Sequence, residues 1–195
     1  ENVYKICIDR ELKKNSRISW QQFLIEMVGG KWENQEYILG YQPKSEIKYD
    51  IGLNWAVGSK WPNKAWPKPY WNKLVELIEK DYTYSWQQGM EDIRQYIEWI
   101  NSCRLLVTTD SLGLHIALAL KKNVIILYGP THSGETYLYG RGKEIFPEVN
   151  YNCIPCLEPV CRQEKCFMLF ISPERVKEEA GRVLNARILK STSNG

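Results

Sequence analysis

Two kinds of hydrophobic pattern alternate along most of this chain. Short apolar runs suited to strands are separated by longer runs whose apolar residues recur at helical spacing. "YDIGLNW" (49–55) predicts a strand, and "PYWNKLVELIEKDY" (69–82) predicts a helix with proline in its first turn. "YTYSW" (82–86) predicts a short strand. "MEDIRQYIEWINSC" (90–103) predicts an amphipathic helix with Ile93, Tyr96, Ile97 and Ile100 on one face. "RLLVTT" (104–109) is a strand pattern, and "SLGLHIALAL" (111–120) a helix that is apolar nearly all round. "VIILYG" (124–129) is wholly apolar, as in a parallel sheet covered on both faces. "SPERVKEEAGRVLNARIL" (172–189) predicts a last helix capped by Ser172. Strands and helices in alternation predict an α/β fold, a doubly wound parallel sheet with right-handed crossovers.

The first 45 residues are less regular. "VYKICI" (3–8) is a short strand pattern. "SWQQFLIEMVGG" (19–30) predicts a helix with Ser19 as N-cap, Gln22 at the capping-box position and Gly29-Gly30 as the stop. "YQPKSE" (41–46) reads as a linker, and no internal repeat is present.

Composition narrows the classes. Of 195 residues, 44% are hydrophobic and 25% charged, enough to bury a core. A net charge of +3 gives no argument for nucleic acid and leaves room for a local basic pocket. No apolar stretch approaches the roughly 20 residues of a membrane-spanning helix, and no signal-peptide pattern stands out. Many of the eight Trp and twelve Tyr fall between residues 55 and 99, where core packing accounts for most. A few near Gly58 and Lys64 are candidate pocket walls. The chain starts at Glu1, so it is expected to be part of a longer protein or a processed product.

In a doubly wound sheet, ligands bind beyond the carboxyl ends of the strands. Three loops are expected there. "AVGSKWPNK" (56–64) offers Ser59, Lys60 and Lys64; "DSLG" (110–113) offers Asp110, Ser111 and Gly113; "GPTHSGE" (129–135) offers Gly129, Pro130, Thr131, Ser133 and Glu135. Small residues admit close backbone approach, helix N-termini favour anions, and the lysines add positive charge. The ligand chemistry suggested is a diphosphate. Neither GxGxxG nor GxxxxGK[ST] occurs, so an ordinary dinucleotide enzyme or a P-loop NTPase is not supported. Asp110 is placed as the cap of the 111–120 helix, and His115 shares a helical face with Ser111. On spacing alone, a simple cap and a core histidine explain Asp110 and His115 equally well.

Lys64-Ala65-Trp66-Pro67, Asp110-Ser111-Leu112-Gly113-Leu114-His115 and Gly129-Pro130-Thr131 together resemble glycosyltransferase family 9, the ADP-heptose–lipopolysaccharide heptosyltransferases. The resemblance covers about 48–190, includes "GETYLYGRG" (134–142), and departs from the family's commoner Asp-Thr-Gly at Asp110-Ser111-Leu112. It implies a Rossmann-like half of a GT-B enzyme. On that reading 1–47 is an interdomain segment with a helix, and 48–195 is the donor domain binding a nucleoside-diphosphate sugar. The acceptor domain, which carries the family's general base, lies outside this chain, and the chain alone is expected to be inactive. Inverting transfer is implied, with Lys64 and Asp110 as the catalytic candidates: Lys64 neutralises the leaving diphosphate, while Asp110 and His115 line the site. The residues of the 129–135 loop contact the diphosphate, and no cofactor is required for catalysis. The acceptor implied is a saccharide or glycolipid of the cell surface or lipopolysaccharide. The implied location is cytoplasmic, including the inner face of the membrane. A non-catalytic nucleotide-sugar or partner-binding module, and a sugar-nucleotide epimerase, are the competing readings.

"CIPCLEPVCRQEKC" places Cys153, Cys156, Cys161 and Cys166 within fourteen residues. The opening C-x₂-C suits a structural zinc, although the later spacing is tighter than in two-knuckle sites. Disulfides and packed free thiols are the other two readings. Cys7 and Cys103 read as buried apolar residues.

Overall fold

The computed structural model describes residues 14–15, 17–88 and 92–192, with side chains as far as residue 186. Five parallel strands form one sheet: β1 (Tyr49–Asn54), β2 (Tyr84–Trp86), β3 (Cys103–Thr109), β4 (Asn123–Leu127) and β5 (Gly142–Ile145), in the spatial order β2-β1-β3-β4-β5. Ile51 lies opposite Leu105, Leu105 opposite Asn123, and Ile126 opposite Glu144. The helices are α1 (Trp20–Met27), α2 (Lys68–Ile78), α3 (Ile93–Asn101), α4 (Leu112–Ala119) and α5 (Pro173–Thr192).

Alternating strand residues feed two cores. Ile51, Leu53, Leu105, Val107, Ile125 and Leu127 meet Trp71, Leu74 and Ile78 of α2 and Val176, Ala180 and Leu184 of α5. On the other face Leu106, Val124 and Ile126 meet Tyr96, Ile97 and Ile100 of α3 and Leu114, Ala117 and Leu118 of α4. α4 meets β3 and β4 beneath it and α3 beside it, and Tyr37 and Leu39 pack against the same core, which is why it is apolar nearly all round. The predicted face of α3 is correct except at Ile93, which the helix start leaves 49% exposed.

Three expectations change. "YGRGKEIFP" contains a fifth strand, β5, whose four residues are too few to show a clear alternation. Ser19 caps α1 by accepting from Gln22 N at 3.2 Å, but the Gln22 side chain bonds Glu26 instead of reaching back, so only half of the capping box forms. "YQPKSE" is not a free linker. Glu98 of α3 receives the Tyr41 hydroxyl and the backbone N–H groups of Lys44 and Ser45, and Asn101 donates to Ser45 O. Those donors, Tyr41 first, pull the Glu98 carboxyl down to about 2. Upstream, Arg141 grips Glu36 with two nitrogens and the Tyr139 hydroxyl donates to Gln35 O. Residues 35–45 thus form a docked strap across the α3–α4 side. The strand expected at 3–8 and Cys7 lie outside the described residues; Cys103 is buried as expected, and burial raises its thiol to about 11.

The order in which strands are added reverses at the centre of the sheet. After β2 forms on one side of β1, α3 carries the chain back to β3 on the other side. At this switch point Asn54 ends β1, fully buried, and receives the Tyr96 hydroxyl at 2.6 Å. Its own Nδ2 donates to Thr108 Oγ1 at 2.7 Å and Ser111 Oγ at 3.0 Å. Gly113 makes room for this network: a Cβ there would lie 2.4 Å from both Asn54 Nδ2 and the Tyr96 oxygen. Gly-to-Ala inside a helix ordinarily gains about 1 kcal/mol. Here overpacking outweighs the gain, so Gly113→Ala is expected to destabilise the fold by about 1–3 kcal/mol. Denaturant titration checks this, and unchanged or raised stability contradicts the packing account.

Candidate functional site

The carboxyl ends of β1, β3 and β4 open on one side of the switch point, and the predicted loops meet there. Lys64 is held from both sides. Just before it, Asn63 is buried and donates from Nδ2 to Glu158 O at 3.1 Å, while its backbone N–H donates to Pro159 O at 3.1 Å. Just after it, Trp66 is buried, packs edge-on against Trp71 and donates to Ile171 O at 3.0 Å. A turn anchored at 63 and 66 leaves Lys64 a single direction. Its Nζ reaches Asp110 Oδ2 at 2.8 Å and Asp110 O at 2.9 Å. The two side chains are only 16% and 18% exposed.

Asp110 is therefore not the cap of α4. Ser111 occupies that position, and its hydroxyl is turned inward to Asn54. Burial works to raise the Asp110 pKa. The charge and hydrogen bond of Lys64, with smaller help from Thr131 and His115, outweigh burial and hold the carboxyl below its usual value. His115, one turn into α4, is half-buried and places Nδ1 2.8 Å from the Tyr37 hydroxyl. Burial first, and then Lys64, lower its pKa against the pull of Asp110, so the ring is neutral at neutral pH. Among the described residues the buried hydroxyl of Thr109, on the same edge, has no hydrogen-bond partner, and that of Thr131 has none of ordinary geometry. Thr131 still lies close enough to Asp110 to favour its charged form.

The other predicted residues divide. Gly129 packs closely on the side a side chain would occupy: a Cβ there would lie 2.5 Å from Met168 and Phe167 atoms. Gly113 serves the Asn54 network, and Pro130 O receives Leu157 N at 2.8 Å. Ser133 faces Glu144 of β5, whose carboxyl burial pushes up. Glu135 accepts from Trp20 of α1 at 3.1 Å. Ser59 and Lys60 sit on an exposed turn away from the ion pair's hydrogen bonds. Sequence reasoning missed Asn54, Asn63, Thr108 and Tyr37. Only Asn54 left a signal, a lone amide ending an apolar strand.

The four clustered cysteines are free, and among the described residues no three His, Cys, Asp or Glu side chains are arranged to hold a metal. The thiols do neighbour one another. Burial first, and then charge on Cys153 and Cys161, raises Cys156; burial first, and then Cys161 and Cys156, raises Cys166. Asn63 touches this cluster through Cys156 Sγ and Cys166 Sγ, each at 3.6 Å.

Residues 89–167 match the family model for glycosyltransferase family 9 (heptosyltransferase). Over that span the chain is similar to glycosyltransferase family 9. It is 26% identical over 127 residues to lipopolysaccharide heptosyltransferase 1 of Pseudomonas aeruginosa, a match covering 53% of this chain and 36% of that protein. Among solved structures, the heptosyltransferase WaaC of E. coli with ADP-2-deoxy-2-fluoro heptose superposes with a TM-score of 0.56 at 16% identity, covering 83% of this chain and 54% of that one. The iron-containing dodecameric glycosyltransferase TibC of enterotoxigenic E. coli gives 0.61 at 11% identity, covering 88% and 54%. The chain thus spans about a third of the curated relative and about half of each solved chain. The fold is the Rossmann-like α/β unit of the GT-B heptosyltransferases. Among the described residues no helix is long and apolar enough to cross a membrane.

The ion pair has a testable acid limit. Asp110 has its folded pKa below the ordinary 3.8, so its contribution is complete above that value and is lost as pH falls through the folded pKa. Since Asp110 pairs with Lys64 instead of capping α4, Asp110→Asn is expected to cost about 1–3 kcal/mol at neutral pH. Unfolding free energies of the two proteins should converge in strong acid. A constant gap across that range rules out the charge account.

Proposed function

We propose that this chain is the donor-binding unit of an inverting, heptosyltransferase-like glycosyltransferase acting in lipopolysaccharide or other cell-surface glycan synthesis. The observation that carries the reading is the Lys64–Asp110 pair at the switch point. An ammonium has three N–H donors, and Asp110 takes two of them through its carboxylate and its carbonyl. The third is left to meet an incoming anion. The positive end of α4 opens beside it, and Thr131 adds to the hold on Asp110 from the neighbouring loop. WaaC is named with an ADP-heptose analogue, and ADP-linked heptose is the donor assigned to this chain.

The chemistry follows from charge. As an acceptor hydroxyl attacks the anomeric carbon, the bond to the diphosphate breaks and negative charge grows on the leaving group. A cation fixed in advance stabilises that charge more than the ground state, the difference on which catalysis depends. Asp110 keeps Lys64 aimed, and its carboxylate is placed to accept from sugar hydroxyls. The acceptor, a lipid-linked saccharide by analogy with the relatives, is assigned to a preceding domain together with the general base. The chain alone is then expected to bind donor without turning it over.

Calorimetry with ADP and adenosine tests the site. Lys64→Ala should weaken ADP binding by about 1–3 kcal/mol, as for other charge-assisted hydrogen bonds, and leave adenosine nearly untouched. Equal losses for both ligands make Lys64 a structural residue, and no ADP binding by the folded chain removes the donor assignment.

We also assign the cysteine loop a structural metal that braces the Lys64 turn through Asn63. Four thiols are the right donors for zinc, or for iron, the metal named for TibC. Their present spacing brings no three ligands to one point, so binding has to draw the loop together. Elemental analysis of protein purified under reducing conditions is expected to give close to one equivalent. Less than about a tenth of an equivalent, with four titratable thiols in the loop, leaves the brace to packing alone.

A further inference from the structure

His115 is half-buried beside the ion pair, yet its hydrogen-bond partner comes from neither loop. It is Tyr37, 78 residues earlier in the chain, on the strap that sequence alone assigned to an interdomain segment. Strap and site are firmly joined. The Tyr37 and His115 rings pack edge to face at 5.9 Å, and Tyr37 packs on Tyr139 at 6.0 Å. Tyr139 and Arg141 then hold Gln35 and Glu36, the two residues just before Tyr37.

The direction of this bond follows from chemistry. Among the described residues the Tyr37 hydroxyl has His115 as its only hydrogen-bond partner. Burial, with the charges of Tyr139 and Asp110 adding to it, keeps the phenol protonated far above neutrality. A phenol is a good donor and a poor acceptor, and a neutral imidazole nitrogen is a good acceptor. The phenol O–H therefore donates to Nδ1, and the ring proton is confined to Nε2. Nε2 has no partner among the described residues and is not sealed from solvent. It sits close enough to Lys64 and Asp110 to feel both charges.

We propose that Tyr37 is a positioning residue of the donor site, locking His115 in the Nε2–H tautomer so that a neutral N–H donor is presented to the nucleotide-sugar beside the Lys64–Asp110 pair. The proposal rests on the donor-site reading above and adds a residue from outside the sheet. A second cation next to Lys64 would repel it, whereas a neutral donor adds a hydrogen bond without that cost. A free imidazole divides its proton between two nitrogens, and Tyr37 removes that freedom before the ligand arrives.

The chain has only two histidines, so ring-nitrogen NMR of the whole chain at mildly alkaline pH resolves both. The wild-type His115 ring should show a protonated Nε2 and a bare Nδ1 without ligand. Tyr37→Phe should shift it toward a mixture, and ADP should move the Nε2 signal of the wild type. Tyr37→Phe should also weaken binding of the nucleotide-sugar roughly 3- to 10-fold, the usual range for one hydrogen bond. His115→Gln carries an amide donor whose orientation does not need Tyr37, so in that background Tyr37→Phe should have little further effect. An Nδ1–H tautomer in the wild type, or an unchanged tautomer in Tyr37→Phe, overturns the lock. An Nε2 signal indifferent to bound ADP, or full affinity in Tyr37→Phe, overturns its role in binding. The expected tautomer with no ADP binding at all overturns the donor-site reading itself, and the positioning role with it.

Discussion

A buried carboxamide dictates most of the geometry around the site. Asn54 ends the central strand with no access to water, where an unpaired polar group costs about 1–3 kcal/mol. Its oxygen must therefore find a donor and its nitrogen two acceptors, and each partner comes from a different element. Tyr96 brings α3, Thr108 brings β3, and Ser111 brings the start of α4. Satisfying one side chain fixes how the chain crosses from one half of the sheet to the other. It also uses up Ser111, which leaves Asp110, the next residue back, to face outward. The network makes Gly113 a packing requirement, and Asp110 emerges from it already aimed at the mouth.

Lys64 reaches the same mouth by an independent route. Its turn is held by two buried neighbours, Asn63 facing the cysteine loop and Trp66 facing the core beneath α5. Opposite charges delivered from two rigid supports meet at 2.8 Å with little conformational freedom left to lose. An exposed ion pair contributes little; this one is mostly sheltered, so the loss of one partner leaves a charge that water only partly rescues. A site that binds a doubly charged ligand needs such a cation in place beforehand, because reorienting a free lysine on binding would oppose affinity.

The fold was legible because its periodicity is strong where the sheet is buried. β1, β3 and β4 are apolar on both faces, and α2 and α3 show clear helical stripes, so those elements and their parallel arrangement follow from local pattern. β5 was not legible, since Gly-Lys-Glu-Ile at a sheet edge carries neither alternation nor a buried run. In the site, Lys64, Asp110 and His115 were found by loop position and motif, and they do converge. The part each plays in the fold was less visible. Asp and Ser are both good caps, and only the buried amide of Asn54, 56 residues before Asp110, decides that the hydroxyl turns inward and the carboxylate outward. Gly129 and Gly113 stand out in sequence because small residues serve close approach of any kind; in the fold their missing side chains make room for Phe167, Met168, Asn54 and Tyr96.

The strap shows why distance along the chain hides chemistry. Residues 35–45 have no helical or strand period, since their partners are side chains of α3, α4 and the 139–141 segment instead of a ladder of their own. Such a segment looks like a linker in sequence and acts as a fixed part of the domain. Its contacts form one continuous line, from Glu98 through Tyr41 and on to Arg141 through Glu36, with Tyr37 and His115 between them. Tyr37 is thus held by an ion pair on one side and by hydrogen bonds to the Glu98 carboxylate on the other, and so is the hydrogen bond it makes at the site. A segment that holds a side chain against His115 has a geometric reason to be fastened this firmly. Any looseness in it would be passed through Tyr37 to the His115 ring, and if Lys64 holds a donor, misplacement of about 1 Å there is enough to cost rate steeply.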